Sequence, residues 1–209
     1  MHADWYFDFI SPFSYLQLHR LASLRERVDI TPVPIVLGAV LKHHGQLGPA
    51  EIRGKREFTY RFAQWTAERE GVPFRFPPAH PFNPISALRL VIAAGTTWPA
   101  VTAVFEHIWK HGHAGDDAET LEGVARAIGI DDVVAAVSRD DIKAALRANT
   151  EAAIAVGVFG VPTLRIGDEL FWGGDSTAMI EDWLADPARF AGEAYRRIAL
   201  LPRAVERRR

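Results

Sequence analysis

The chain has 209 residues, 48% of them hydrophobic and 24% charged, a balance that suits a globular protein with a full core. Its formal net charge of −2 gives no electrostatic reason to bind nucleic acid or an acidic membrane, so neither is expected as a partner. It contains no cysteine, which excludes disulfides, a cysteine nucleophile, thiolate metal ligation and a dithiol redox couple of its own.

No apolar run reaches the ~18 residues that span a bilayer. Asp4 and Asp8 interrupt the N-terminal stretch where a signal peptide would be continuously apolar, so the expected location is cytoplasmic. Asp4 to Phe9 alternates, with Trp5, Phe7 and Phe9 on one side and Tyr6 and Asp8 on the other, the period-two pattern of a strand. Ser11 then suits an N-cap and Pro12 the first helical turn. Tyr15, Leu18 and Ala22, with Leu21 and Leu24, form the apolar face of a helix ending near Arg27. Val28 to Val36 reads as a second strand, and Pro32 and Pro34 place it at a sheet edge. Strand, helix and strand in this order predict a parallel βαβ unit.

From about Leu37 to Ala155 the pattern becomes helical, with predicted helices at Glu51–Glu70, Ile85–Ala94, Pro99–His111, Ala118–Ala127 and Asp141–Val156 and no strand. Val161–Ile166 and Glu169–Trp172, joined by the turn Gly167-Asp168, read as an antiparallel hairpin. After Gly173-Gly174, Asp175 is placed to cap a helix running to about Leu184. The tail is basic, with Arg203, Arg207, Arg208 and Arg209, and reads as a solvated end. The expected fold is α/β: residues 1–40 and 156–209 form one four-stranded mixed sheet covered by helices, and 41–155 form an inserted helical domain.

Three stretches can carry chemistry. Ser11-Pro12-Phe13-Ser14 opens a helix whose free N–H groups and positive end would favour a bound thiolate, and Ser11 could donate its O–H to it. With no thiol in the chain, that thiol would arrive on a ligand; taken alone, the same residues also make an ordinary N-cap. Val161-Pro162-Thr163 is a candidate cis-proline that would free the backbone of Val161 for an extended ligand, or equally a trans proline opening a strand. Gly173-Gly174-Asp175-Ser176 opens a second helix, whose N–H groups could hold a carboxylate while Asp175 pairs with an ammonium, or it is simply a capped helix after a glycine turn. His107 and His111 are four apart beside Glu106 and His113, but the intervening Glu of H-E-x-x-H is missing, so no metal is assigned.

Together these stretches resemble one family. Asp8-Phe9-Ile10-Ser11-Pro12-Phe13-Ser14-Tyr15, Phe159-Gly160-Val161-Pro162-Thr163 and Phe171-Trp172-Gly173-Gly174-Asp175 are similar to the 2-hydroxychromene-2-carboxylate isomerases, relatives of kappa-class glutathione transferases and of DsbA-type oxidoreductases. The resemblance covers essentially the whole chain and implies a thioredoxin-like fold. Serines stand at both ends of the C-x-x-C motif of DsbA-type proteins. It further implies glutathione as cofactor, with Ser11 at its sulfur and Phe13, Val161, Pro162, Gly174, Asp175 and Ser176 around it. Lys42 and Asn83 would contact the substrate, and Phe62 and Trp65 would supply apolar walls. Glutathione-dependent isomerisation of 2-hydroxychromene-2-carboxylate or a related aromatic keto acid is the implied activity. A kappa-like transferase and a non-catalytic thioredoxin-like binding module are the alternatives. A homodimer is implied by analogy. One departure lies at Gly48-Pro49, where Ala50, Glu51 and Ile52 follow in place of an early Asn.

Overall fold

The computed structural model describes residues 1–202 and 204–205; the basic tail positions Arg203 and Arg207–Arg209 lie outside the described residues. β1 (His2–Phe7), α1 (Pro12–Leu24) and β2 (Asp29–Pro34) form the expected βαβ unit. β1 pairs parallel to β2 and antiparallel to β3 (Thr163–Ile166), which pairs antiparallel to β4 (Glu169–Trp172). The sheet order is therefore β2-β1-β3-β4, and the proline-bearing β2 lies at an edge, where missing N–H donors cost no ladder bond.

Between β2 and β3 the chain is helical: α2 (Leu37–His43), a 3₁₀ turn (Pro49–Glu51), α3 (Arg53–Glu70), α4 (Ile85–Ala93), α5 (Trp98–Phe105), a π turn (Glu106–Lys110), α6 (Glu122–Ala127), α7 (Val133–Ser138) and α8 (Asp140–Ala155). After β4 follow a 3₁₀ turn (Gly174–Ser176), α9 (Thr177–Ala185), α10 (Pro187–Phe190) and α11 (Glu193–Ala199). Among the described residues, no helix is long and apolar enough to cross a membrane.

Three differences from the sequence expectation have local causes. β1 ends at Phe7, because Asp8 turns its carboxylate onto the N–H of Ile10, at 3.1 Å, and bends the chain out of the strand. α2 and α7 are short, seven and six residues, too short for an apolar period to stand out. Asp175 does not cap α9: it sits in the 3₁₀ turn, and Ser176 takes the position before the helix without a side-chain cap bond.

Alternate residues of β1 feed two packing layers. Ala3, Trp5 and Phe7 join Leu164, Ile166 and Phe171 and the helical side chains Leu16, Leu21, Leu88, Val101, Phe105 and Ile180 in one cluster. Tyr6 faces the other way, into a smaller cluster with Ile35, Val40, Ala153, Val158 and Val161. The larger cluster is continuous from the sheet into the inserted helices, so the two parts of the chain share buried contacts. Its centre is aromatic. The ring of Phe105 lies 6.0 Å from Trp5, 5.5 Å from Phe7, 4.5 Å from Phe9 and 6.2 Å from Tyr15. Phe105→Ala should therefore cost about 3–5 kcal/mol of unfolding free energy, read from the shift in urea midpoint at constant slope.

Candidate active site

The site is built at the junction of β1 and α1. Ser11 is the N-cap of α1, with φ −93° and ψ 113°, and its Oγ accepts from the N–H of Ser14 at 3.2 Å. That bond uses an oxygen lone pair and leaves the hydroxyl proton for another acceptor. Pro12 occupies the first turn, where its missing N–H is harmless. Ser11 is 6% exposed, and Ser14 is buried with its Oγ unpartnered among the described residues.

The second element is the loop before β3. The Val161–Pro162 bond is cis. Val161 precedes the strand, and among the described residues its N–H and C=O take part in no loop, turn or cap bond. The Pro162 carbonyl accepts from the N–H of Gly173 at 2.9 Å, joining this loop to the third element. Gly173 has φ +90°, a left-handed conformation that favours glycine, and a Cβ there would lie 2.5 Å from Oδ1 of Asp175. The carbonyls of this turn are occupied. Gln17 and Ser176 Oγ donate to Gly173 O, at 3.1 and 2.7 Å, and Arg20 and Thr177 Oγ1 donate to Gly174 O. The N–H groups of Gly174 and Asp175 donate to no described residue through a loop or cap bond. A Cβ on Gly174 would sit 3.5 Å from the carbonyl of Phe13, so the third element adjoins the start of α1.

Ser11, Phe13, Val161, Pro162, Gly174, Asp175 and Ser176 are thus linked through one set of loops. The ring of Phe13 lies 6.0 Å from Phe62, which stacks 5.9 Å from Phe58 and 5.8 Å from Trp65. These α3 rings are exposed, by 66% at Phe58, 42% at Phe62 and 49% at Trp65, and form an apolar shelf beside the α1 start. Phe159 and Trp172, 5.3 Å apart, add exposed aromatic surface near Pro162. Lys42 is exposed near the end of α2, and its side chain makes no hydrogen bond or ion pair among the described residues. Asn83 accepts from the N–H of Ile85 at 3.2 Å, so its side chain is engaged in the turn before α4. No bond joins either residue to the Ser11 cluster among the described residues. His107 is engaged with the carbonyl of Ala114, at 3.2 Å.

Four supporting residues carry no clear signal in the sequence. Gln17, fully buried, accepts from Trp5 Nε1 at 2.8 Å and donates to Gly173, tying α1 to the glycine turn; it reads as one more polar residue on a helix. Arg20 reaches from α1 to Gly174 and Glu70. Trp109 donates to the carbonyl of Phe9 at 2.7 Å. Asp8, placed by the alternation on a strand, is instead wholly buried, and its two oxygens accept from the N–H groups of Ile10 and Leu37, at 3.1 and 2.8 Å. Burial pushes its pKa up to about 7, against the opposing pull of the Leu37 and Ile10 N–H groups.

The DSBA-like thioredoxin domain family matches residues 3–185. A 2-hydroxychromene-2-carboxylate isomerase from Pseudomonas sp. (strain C18) is 32% identical over 193 residues, which cover 86% of this chain and 88% of the relative. Glutathione S-transferase kappa 2 of Caenorhabditis elegans is 26% identical over 88% of this chain and 91% of its own. A solved structure of a 2-hydroxychromene-2-carboxylate isomerase superposes with a TM-score of 0.79 at 30% identity, covering 91% of this chain and 98% of that one.

Two predictions test the geometry. A carboxyl with a raised folded pKa contributes stability that is complete below its unfolded value, ~3.9, and is lost as the pH rises through the folded one. For Asp8 that loss runs from about 3.9 up to about 7 and is complete above it. The stability advantage of wild type over Asp8→Asn should therefore shrink from acidic to mildly alkaline pH, as read by urea unfolding across that range. Gly173→Ala should cost at least ~1 kcal/mol, because the side chain is strained at positive φ and meets the Asp175 carboxylate; thermal unfolding reads it directly.

Proposed function

Because the chain belongs to the DsbA-like thioredoxin family, among the 2-hydroxychromene-2-carboxylate isomerases, we propose that it is a glutathione-dependent isomerase acting on 2-hydroxychromene-2-carboxylate or a related aromatic keto acid. The observation that carries this reading is Ser11. Its oxygen caps α1 while its proton stays available, at a helix N-terminus, in a chain without a thiol. That environment favours an anion supplied by a ligand over the protonated form.

The residues present fit glutathione. Ser11 O–H would donate to the sulfur, and a drop of two units from the ordinary thiol pKa of ~8.5 requires about 2.7 kcal/mol, within reach of a charge-assisted hydrogen bond plus a helix terminus. Phe13 and Pro162 would flank the tripeptide. The unengaged N–H and C=O of Val161 would pair with its cysteinyl unit as a short strand does. The free N–H groups of Gly174 and Asp175, with the Asp175 carboxylate and Ser176, would hold the γ-glutamyl end. When bound, glutathione supplies a thiolate that adds to the substrate and is released unchanged. Lys42 would offset negative charge on the substrate carboxylate or a developing oxyanion. Asn83 would contact substrate by turning from Ile85. The Phe62 and Trp65 rings would receive the flat apolar part of the substrate, keeping water from it. A cytoplasmic homodimer belongs to the same proposal.

The kappa-class relative supports a second reading, in which the same activated thiol attacks an electrophile and leaves as a conjugate. Both readings make the same first prediction. Titrating bound glutathione by thiolate absorbance should give a thiol pKa below ~8.5 in wild type and a rise of one to two units in Ser11→Ala, about a 10- to 100-fold lower thiolate-to-thiol ratio, with turnover at neutral pH falling with the thiolate that remains. Product analysis with chromene carboxylates and standard electrophiles then separates isomerase from transferase. Binding of glutathione with an unshifted thiol, indifferent to Ser11→Ala, would instead favour a binding module without catalysis.

A further inference from the structure

Two backbone carbonyls of the loop from Asp8 to Ser11 accept side-chain hydrogen bonds from the helical segment that lies between β2 and β3 in sequence. Trp109 Nε1 donates to Phe9 O, and one residue further on His80 Nε2 meets Ile10 O at 2.7 Å. A carbonyl oxygen only accepts, so Nε2 carries the ring proton. The opposite nitrogen, Nδ1, lies 2.6 Å from the hydroxyl of Tyr60. The hydroxyl's one proton is shared between Nδ1 and the His80 carbonyl, which lies 2.7 Å from it, while Arg56 Nε donates to the hydroxyl at 3.1 Å and Arg56 Nη2 donates to the same carbonyl at 2.9 Å. His80 is packed among the rings of Phe76, Phe82 and Trp109. Its contacts on every side are therefore specified, and one nitrogen is committed to the loop.

The peptide it grips is the one that leads into Ser11. Ile10 C=O and Ser11 N–H are the two ends of a single planar unit. His80 holds the oxygen, and the N–H of Ser11 is bonded to Asp8 O at 3.1 Å. A peptide plane fixed at both ends sets φ of Ser11, and that angle decides whether Oγ can accept from Ser14 N and aim its proton outward. Without a donor at Ile10 O, the oxygen is left unpaired in a half-buried place and the plane is free to rotate.

Resting on the proposed use of Ser11, we propose that His80, as its Nε2–H tautomer, is a positioning residue that aims the Ser11 hydroxyl at the glutathione sulfur by holding the Ile10 carbonyl. His80 touches neither thiol nor substrate; it acts through one peptide unit. Burial lowers its pKa, with Arg56 pushing the same way and Ile10 O opposing, so the neutral ring that the arrangement needs is the form present at neutral pH. Arg56 and Tyr60, both on α3, are the charged and titratable groups that face it among the described residues.

The test uses the full chain in wild type, His80→Phe and His80→Gln. Phenylalanine keeps the ring packing and removes the donor; glutamine restores an N–H that can reach Ile10 O. With glutathione bound, the thiolate-to-thiol ratio should fall about tenfold in His80→Phe, a rise of one unit in thiol pKa, while that ratio in His80→Gln stays within about threefold of wild type. Amide exchange at Ser11 should quicken at least tenfold in His80→Phe alone. A purely structural role would lower the melting temperature and leave the thiol pKa where it was. A folded His80→Phe with unchanged thiol pKa and unchanged Ser11 exchange overturns the proposal. If wild type binds no glutathione, the functional reading fails, and Ser11 exchange by itself decides the role of His80. Should His80→Phe not fold, the imidazole nitrogen resonances of wild type decide: an Nε2–H tautomer upholds the proposal, and an Nδ1–H tautomer overturns it.

Discussion

Four residues, Asp8 to Ser11, must leave the central strand and enter a helix inside the protein, where water cannot serve their peptide groups. An unpaired buried N–H or C=O costs about as much as a hydrogen bond gains, so the crossing is tolerable only if each polar group is met. The chain meets them from several places. The Asp8 carboxylate takes Ile10 N–H, Asp8 O takes Ser11 N–H, Trp109 supplies Phe9 O, and His80 supplies Ile10 O. The other Asp8 oxygen reaches Leu37 N–H, so the same carboxylate also fixes where α2 begins. The inserted helices are thus more than a roof over the sheet. They donate the bonds that let a serine sit at the end of β1 with its hydroxyl unspent.

The parts of the fold that sequence made legible are those with a short-range cause. Trp5, Phe7 and Tyr6 alternate because β1 is covered on both faces, and Pro32 and Pro34 mark β2 as an edge because a proline has no ladder donor. Ser11-Pro12 announces a helix start by local stereochemistry alone, and Gly173 announces a turn because its φ is positive. What was illegible has a long-range cause. Asp8 follows the strand alternation and leaves the strand only because its carboxylate finds two N–H groups, one of them 29 residues away. His80 stands between prolines with nothing in its neighbourhood to show that its partner is Ile10, 70 residues earlier. Lys42 and Asn83 were expected at the substrate on resemblance alone. The structure leaves the first exposed and unpaired among the described residues and gives the second a local bond.

The serine pair also shows how little of a thioredoxin-like site depends on sulfur in the protein. The helix N-terminus and the cis-proline loop are present with oxygen in place of both thiols. At Ser11 the exchange creates a group that can cap the helix and donate at once, which a thiol does poorly. At Ser14 the hydroxyl is buried and unpartnered, so oxygen there brings a desolvation cost with no bond among the described residues to offset it.

The antiparallel pairing of β1 with β3 has a consequence for how the chain comes to be folded during synthesis. β1 and β2 can associate early, but the other edge of β1 stays open until residues 8 to 162 have been made and β3 follows. Through that interval an aromatic strand built around Trp5 and Phe7 presents unsatisfied backbone on one side, a template for pairing with another chain. The helices made in between pack over the side chains of β1, yet they cannot supply its missing ladder bonds. Ribosome-bound intermediates should therefore depend on holding factors until the C-terminal hairpin emerges, and the final docking of that hairpin both closes the sheet and brings the proline loop to the end of β1.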